Sequence, residues 1–242
     1  MPNNADAPAV GILMLETDFP RIPGDIGNPE TFPYPVRYRV VEGASVQRVV
    51  RQADPSLLGP FIQAARDLER QGVRVLFTSC GFLAIFQREL AESVDIPVYT
   101  SALVQVADAW ESIAQGRTVG IITAERKALT PRHFQGLGIG HVPNAIVGME
   151  TAAEFSSVFL GGKPTLDVQR CRTEMAEATR KLMAAYPQTG AIVLECTNMP
   201  PYREVVCEVS RLPVLDVLTL MEEVVARLGL YPHCKQSGKA FA

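Results

Sequence analysis

The sequence predicts an α/β fold of two similar lobes, each a mostly parallel sheet flanked by helices, with a cleft between them. Three observations lead there. Short apolar runs alternate with amphipathic stretches almost from end to end of the 242 residues, the pattern of strands covered on both faces by helices. Part of the chain repeats itself. The composition, 47% hydrophobic and 20% charged, supplies a sizeable core and excludes disorder.

In chain order, the unbroken apolar run Val10-Gly-Ile-Leu-Met-Leu15 predicts a strand over 10–15. Residues 17–35 hold five prolines and read as a long irregular loop, since proline ends helices and disrupts ladders. Loops of that length in compact domains are usually functional or disordered. With Phe19, Phe32 and Tyr34 beside Arg21 and Asn28, this one suits an ordered flap over a pocket. Val, Tyr and Val residues predict a strand over 36–41. Apolar residues at helical spacing predict a helix over 56–71. The remaining strands are expected at 73–78, 96–99, 118–123, 145–149, 191–195 and 214–217, each a short run rich in Val, Ile or Leu between polar or proline residues. Amphipathic helices are expected between them at 82–93, 103–115, 131–136, 166–186 and 201–209, and a last one at 218–228.

The repeat places two cysteines at equivalent positions. Val75-Leu-Phe-Thr-Ser-Cys80 precedes a helix and Ile96-Pro97-Val98, while Ile192-Val-Leu-Glu-Cys196 precedes a helix and Leu212-Pro213-Val214. Both Cys-to-Pro steps are 17 residues. Val10-Gly-Ile-Leu13 likewise echoes Val119-Gly-Ile-Ile122 at an offset of 109, against 116 for the cysteines. Loops absorb that difference. The lobes are expected at 8–100 with about 216–230, and at 101–215.

Both Cys80 and Cys196 are expected at strand-to-helix turns, where free N–H groups and the helix dipole lower a thiol pKa and bind a carboxylate. The N–H groups are those of Gly81 and Phe82, and of Thr197 and Asn198. In an open parallel sheet such turns face the ligand crevice. Two opposed thiols suit removal of a proton from one face of a carbon and its return to the other. Thr123 and Thr197 are candidate donors to the resulting anion. Glu195 either tunes Cys196 or points outward into solvent.

Thr78-Ser-Cys80-Gly-Phe and Leu194-Glu-Cys196-Thr-Asn, in a duplicated α/β chain, resemble the aspartate/glutamate racemase superfamily, which includes hydantoin racemases, maleate isomerases and arylmalonate decarboxylases. The resemblance runs from Gly11 to about Leu228. It implies cofactor-independent racemisation or epimerisation of a small amino acid or derivative, with Cys80 and Cys196 catalytic. Ser79, Gly81, Phe82, Thr123, Thr197 and Asn198 are then expected around the substrate. It also implies a homodimer or higher homo-oligomer. This chain departs from the glutamate racemases, which resemble one another in having Asn-Thr after the first cysteine and His after the second Cys-Thr. Here those places hold Gly81-Phe82 and Asn198, and Met14-Leu15 replace an Asp-Ser pair, so glutamate is not the expected substrate. Glu16 and Asp18 remain candidates to meet an ammonium. A maleate-isomerase-like or decarboxylase reaction on a small dicarboxylate, or carboxylate binding without turnover, stand as alternatives.

Other function classes fit poorly. The net charge is −3 with scattered basic residues, so neither nucleic acid nor a membrane surface is expected as a partner. The beginning of the chain has no basic segment followed by an apolar one, so a cytoplasmic location is expected. The five cysteines lack zinc spacing, and no metal or other cofactor is expected. Cys171 and Cys207 read as structural thiols, and His133 as a surface residue. Gly136-Leu-Gly-Ile-Gly140 follows a helix, the reverse of a phosphate loop, and reads as a helix end and turn. The polar segment 231–242 has no predicted structure of its own.

Overall fold

The apolar run that opens the chain forms the central strand β1 (Val10–Met14), every residue of it buried. This computed structural model describes residues 8–231. β1 pairs in parallel with β2 (Val36–Val40) and with β3 (Val75–Thr78), and β3 pairs with β4 (Val98–Tyr99). The second sheet repeats the plan with β5 (Thr118–Thr123), β6 (Asn144–Gly148), β7 (Thr189–Leu194) and β8 (Val214–Leu215). The strand orders are β2-β1-β3-β4 and β6-β5-β7-β8, all pairs parallel. All eight predicted strands are present.

Two equivalent glycines show that the repeat is physical. A Cβ on Gly11 would lie 2.8 Å from Leu76 and 3.1 Å from Leu68 of α1 (Leu58–Arg70). One on Gly120 would lie 2.7 Å from Leu182 of α6 (Val168–Ala185). In each lobe a long helix closes onto the central strand only where that strand has no side chain. The buried face of α1, Phe61, Ala64, Ala65 and Leu68, follows the helical period.

The predicted helices are shorter than expected because tight turns begin several of them. Short 3₁₀ segments, Pro55–Leu57, Gly81–Phe86, Ala102–Gln105 and Pro200–Tyr202, precede α1, α2 (Gln87–Glu92), α3 (Val106–Ser112) and α7 (Arg203–Ser210). Three helical segments were not expected: a 3₁₀ turn at Pro29–Thr31 within the loop, a π-helical turn at Gln47–Arg51 and α5 (Ala153–Phe159). None is long enough for a clear period. α4 (Pro131–Gly136) has the expected bounds and ends before Gly138, which takes a positive φ of 71°.

His133 is buried, not superficial. Its ring closes a capping box with Thr130 and stands edge-on to Phe82 at 5.6 Å. Cys171 is buried in α6 and Cys207 half-buried in α7. The last helix, α8 (Val217–Arg227), is capped by Asp216, and its Arg227 donates to Tyr99 Oη at 2.7 Å. Beyond it, Tyr231 stacks on Tyr34 at 4.6 Å and accepts from Ala9 N–H at 3.0 Å. His233 and Cys234, with the rest of 232–242, lie outside the described residues.

Candidate active site

Each cysteine stands two residues past the C-terminal end of a central strand of its sheet, at the crevice where the strand order reverses. Backbone bonds carry the ladder beyond the strand ends and fix both turns. Ser79 N–H donates to Leu13 O at 2.9 Å, and Glu195 N–H donates to Ile122 O at 2.9 Å. Ser79 Oγ then accepts from Leu15 N–H at 2.9 Å. The Thr197 hydroxyl crosses to the other lobe and donates to Ser79 O at 2.6 Å. This last bond ties the two cysteine turns together.

Cys80 and Cys196 line one cavity with Phe82, Arg21, Glu195 and Asn198. About 20 Å³ of it admits the centre of a water-sized sphere, room for about one water. The loop over 17–35 forms its outer wall through Thr17, Phe19 and Arg21, as its composition suggested. Phe19 meets Phe159 of α5 edge-on at 5.2 Å, and the Arg21 guanidinium lies 4.7 Å from the Phe19 ring centre. Arg21 also pairs with Asp25 at 2.8 Å. Asp25 is buried and accepts from Asn198 Nδ2 at 2.6 Å, and Asn198 Oδ1 accepts from the Cys196 thiol at 3.4 Å. A chain of polar contacts thus runs from the flap to the second thiol.

The thiols are not acidified as expected. Burial, then the charge of Glu195, pushes Cys80 up to about 12, against smaller opposing effects of the Phe82 N–H and Arg21. Cys196 is held well above the usual thiol range by the same two causes, and by Cys80 and Asp25. Local geometry offers little to oppose burial. Cys80 caps only a 3₁₀ segment, and Cys196 sits in a turn ahead of Pro200, so neither faces the end of a long α-helix.

Glu195 is wholly buried, not outward in solvent. Its Oε2 accepts from the Thr123 hydroxyl at 2.7 Å, and Oε1 has no hydrogen-bond partner. Burial raises its carboxyl to about 7, with the Thr123 hydroxyl and Ala124 N–H opposing.

The expected site residues therefore divide. Cys80, Cys196, Ser79, Gly81, Phe82 and Asn198 line the cavity. Thr123 and Thr197 are buried behind it, their hydroxyls bonded to Glu195 and Ser79. Glu16 is turned away and accepts from Gly43 N–H at 2.9 Å. Sequence reasoning did not place Asp25 or Phe159 in the site, and left Glu195 open between tuning Cys196 and facing solvent; its place at the cavity agrees with the first. Gly81 carried a usable signal for Glu195, since a Cβ there would lie 2.3 Å from Glu195 Oε1. Among the described residues no group of three or more His, Cys, Asp or Glu is arranged to hold a metal ion, and no helix is long and apolar enough to cross a membrane.

Two parallel sheets of one strand order, with a cysteine turn from each at a shared cavity, make up the two-lobed α/β fold of arylmalonate decarboxylase and the glutamate and aspartate racemases. Solved structures agree on the fold. A mutant of arylmalonate decarboxylase in a sulfate-associated form superposes with a TM-score of 0.62 at 15% identity, covering 96% of this chain and 97% of that one. A glutamate racemase from Bacillus anthracis gives 0.56 at 14% identity over 93% and 84%. An aspartate racemase homologue from Pyrococcus horikoshii gives 0.56 at 13% over 92% and 99%. No protein-family profile matches the chain.

Sequence relatives are more specific than the fold. Dimethylsulfoniopropionate lyase 7 of Emiliania huxleyi is 32% identical over 232 residues, 91% of this chain and 67% of that protein. Dimethylsulfoniopropionate lyase 6 of the same organism is 31% identical over 93% of this chain and 61% of its own length. A dimethylsulfoniopropionate lyase of Durusdinium sp. clade D is 28% identical over 87% and 71%. The chain belongs to the dimethylsulfoniopropionate lyase family. These relatives are named as lyases, not as the racemase or isomerase that the paired cysteines suggested.

Proposed function

We propose that the chain is a lyase that eliminates a neutral sulfide from a small sulfonium carboxylate of the dimethylsulfoniopropionate type, with Cys80 as the base. The sequence relatives support the reaction class. The observation that carries the assignment to this site is the convergence of a thiol, a guanidinium and aromatic faces on one cavity. Phe19, Phe82 and Phe159 offer ring surfaces to a sulfonium, as aromatic cages do to quaternary ammonium groups. Arg21 and the Gly81 N–H offer positive partners to the carboxylate.

The chemistry then balances without a redox partner. The Cys80 thiolate takes the proton α to the carboxylate, that C–H pair becomes the Cα–Cβ double bond, and the Cβ–S bond breaks. Dimethyl sulfide leaves with the bonding pair, and acrylate and the Cys80 thiol remain. A neutral leaving group needs no acid, so one thiol suffices for the bond changes. Because the cavity admits about one water, the flap must open for the substrate and close again behind it.

The purified protein is expected to release dimethyl sulfide and acrylate in equal amounts from dimethylsulfoniopropionate. Absence of both, with interconversion of amino-acid enantiomers on a chiral column, would return the site to two-base racemisation. That second reading is favoured by one observation, the presence of both thiols at one cavity. Dimethylsulfoniopropionate has no stereocentre, so the two assays do not overlap.

A further inference from the structure

We propose that Glu195 is the counter-ion of the cavity, a specificity-determining carboxylate that selects small carboxylates carrying a cation at their far end over neutral ones of the same shape. This role rests on the lyase reading for the identity of the cation, a sulfonium, and adds the group that recognises its charge. Glu195 is wholly buried and lines the cavity with both thiols. The Thr123 hydroxyl donates to Oε2 at 2.7 Å, and Oε1 has no hydrogen-bond partner. Oε1 lies against the Gly81 backbone, on the side where a Cβ would collide with it and not at the N–H. A buried polar atom without a partner is uncommon, and a buried charge costs stability unless it is paired. Within the protein that pairing is missing. Among the described residues no lysine or arginine forms an ion pair with Glu195, and the groups that favour its ionised form are the neutral Thr123 hydroxyl and Ala124 N–H. Arg21, the cation at the same cavity, is paired with Asp25 at 2.8 Å.

The charge of Glu195 is felt across the cavity. It acts on Cys80 from the first lobe and on Cys196 in its own turn, so a cation held between the thiols stands within its reach, and no direct contact is required in a poorly solvated site. The flap supplies Arg21 and the Asp25 anion, the second of which also acts on Cys196. Arg21 on the flap and Glu195 on the second lobe therefore orient a zwitterion, its carboxylate toward the guanidinium and its cation toward Glu195 and the Phe82 ring. Burial, and then the charge of Glu195, hold the Cys80 thiol up. A bound cation offsets the second of these, so the base is eased when a substrate of the right charge is in place. Burial raises the Glu195 carboxyl to about 7, and the counter-ion is charged above that pH.

Two probes test the role without turnover: 3-(trimethylammonio)propanoate and 4,4-dimethylpentanoate, carboxylates of nearly the same shape of which only the first carries a positive charge. Their affinities are measured by titration calorimetry across a pH series for wild type and Glu195→Gln. At pH 8 the ratio of affinities, cationic over neutral, is expected to be larger in wild type than in Glu195→Gln by about 10-fold or more, the lower end for a close charge pair. In wild type the ratio is expected to fall as pH drops below about 7, where the carboxyl takes up its proton, and in Glu195→Gln it should stay flat. A purely structural loss would weaken both probes alike and leave their ratio unchanged. In sulfide release the variant should lose by a rise in KM of about 10-fold or more and not by a fall in kcat, because removal of the charge eases Cys80.

Equal ratios in wild type and variant, or a wild-type ratio indifferent to pH, would overturn the role; the wild-type series decides it even where the variant does not fold. Release of dimethyl sulfide without these changes in ratio leaves the lyase reading and removes the counter-ion. The changes in ratio without sulfide release leave the counter-ion and remove the lyase reading.

Discussion

The two cysteine turns occupy equivalent places in equivalent sheets, yet they differ electrically. Each follows the same strand of the order, and each has an N–H two residues on directed at its sulfur, from Phe82 or from Asn198. Cys80 lies within reach of the Arg21 cation, which favours thiolate. Cys196 donates its proton to Asn198 Oδ1 and lies within reach of the Asp25 anion, which favours thiol. Duplication places two sulfurs symmetrically, and the flap removes the symmetry, because its counterpart between β5 and β6 carries the short helix α4 and sets His133 against Phe82 instead. A racemase needs two thiols that exchange roles; an elimination needs one base. The inequality of the turns is therefore what distinguishes the two chemistries at this site.

Replacement of each thiol tests that inequality most directly. Cys80→Ala is expected to lower kcat about 10⁴-fold and Cys196→Ala about 10²-fold, the two ends of the acid–base range, measured by sulfide release. Equal losses would break the comparison and favour interchangeable bases. Asp25→Asn strips the Arg21 guanidinium and Asn198 of their shared anion and should destabilise the protein by about 3 kcal/mol in urea unfolding. It should also make Cys196 more easily alkylated, bringing it nearer to Cys80.

Glu195→Gln offers a stability test of the buried acid. The folded carboxyl is raised from 4.5 to about 7, so the fold favours the neutral form. Its contribution is full below about pH 4.5 and is lost as pH rises to about 7. The variant should therefore be more stable than wild type by about 3 kcal/mol at pH 8 and no more stable at pH 4. The smallest effect concerns the scaffold. Gly11→Ala and Gly120→Ala should each cost about 1–3 kcal/mol by overpacking, and similar values would show that the lobes remain equivalent away from the site.

The symmetric part of the molecule was legible in the sequence, and the asymmetric part was not. Eight apolar runs and two Cys-to-Pro steps are local signals, and the sheets and cysteine turns follow from them. Burial of Glu195 is not local: it depends on Thr123 of a neighbouring strand and on Gly81 from the other lobe. The high thiol pKa values were missed for the same reason, because closure of the cavity by Phe19 and Phe159 is a contact between distant segments. His133 lay in a short, polar-looking helix, and only the approach of Phe82 reveals that it is inside. Arg21 was noticed as part of the loop, but its pairing with Asp25 and the reach of Asp25 to Asn198 required coordinates.

The flap is fastened along its length: by the Arg21–Asp25–Asn198 contacts, by the buried Ile26 and the Tyr38 hydroxyl that donates to its carbonyl, and by the stacking of Tyr34 on Tyr231. Entry to the cavity calls for Phe19 to swing off Phe159, with release of the Arg21–Asp25–Asn198 contacts. Every turnover passes through that swing twice, once for entry and once for exit. A barrier of this kind masks the breaking of the C–H bond: substrate deuterated at its α carbon will turn over nearly as fast as ordinary substrate. Loosening the Arg21–Asp25–Asn198 contacts is then what uncovers the isotope effect.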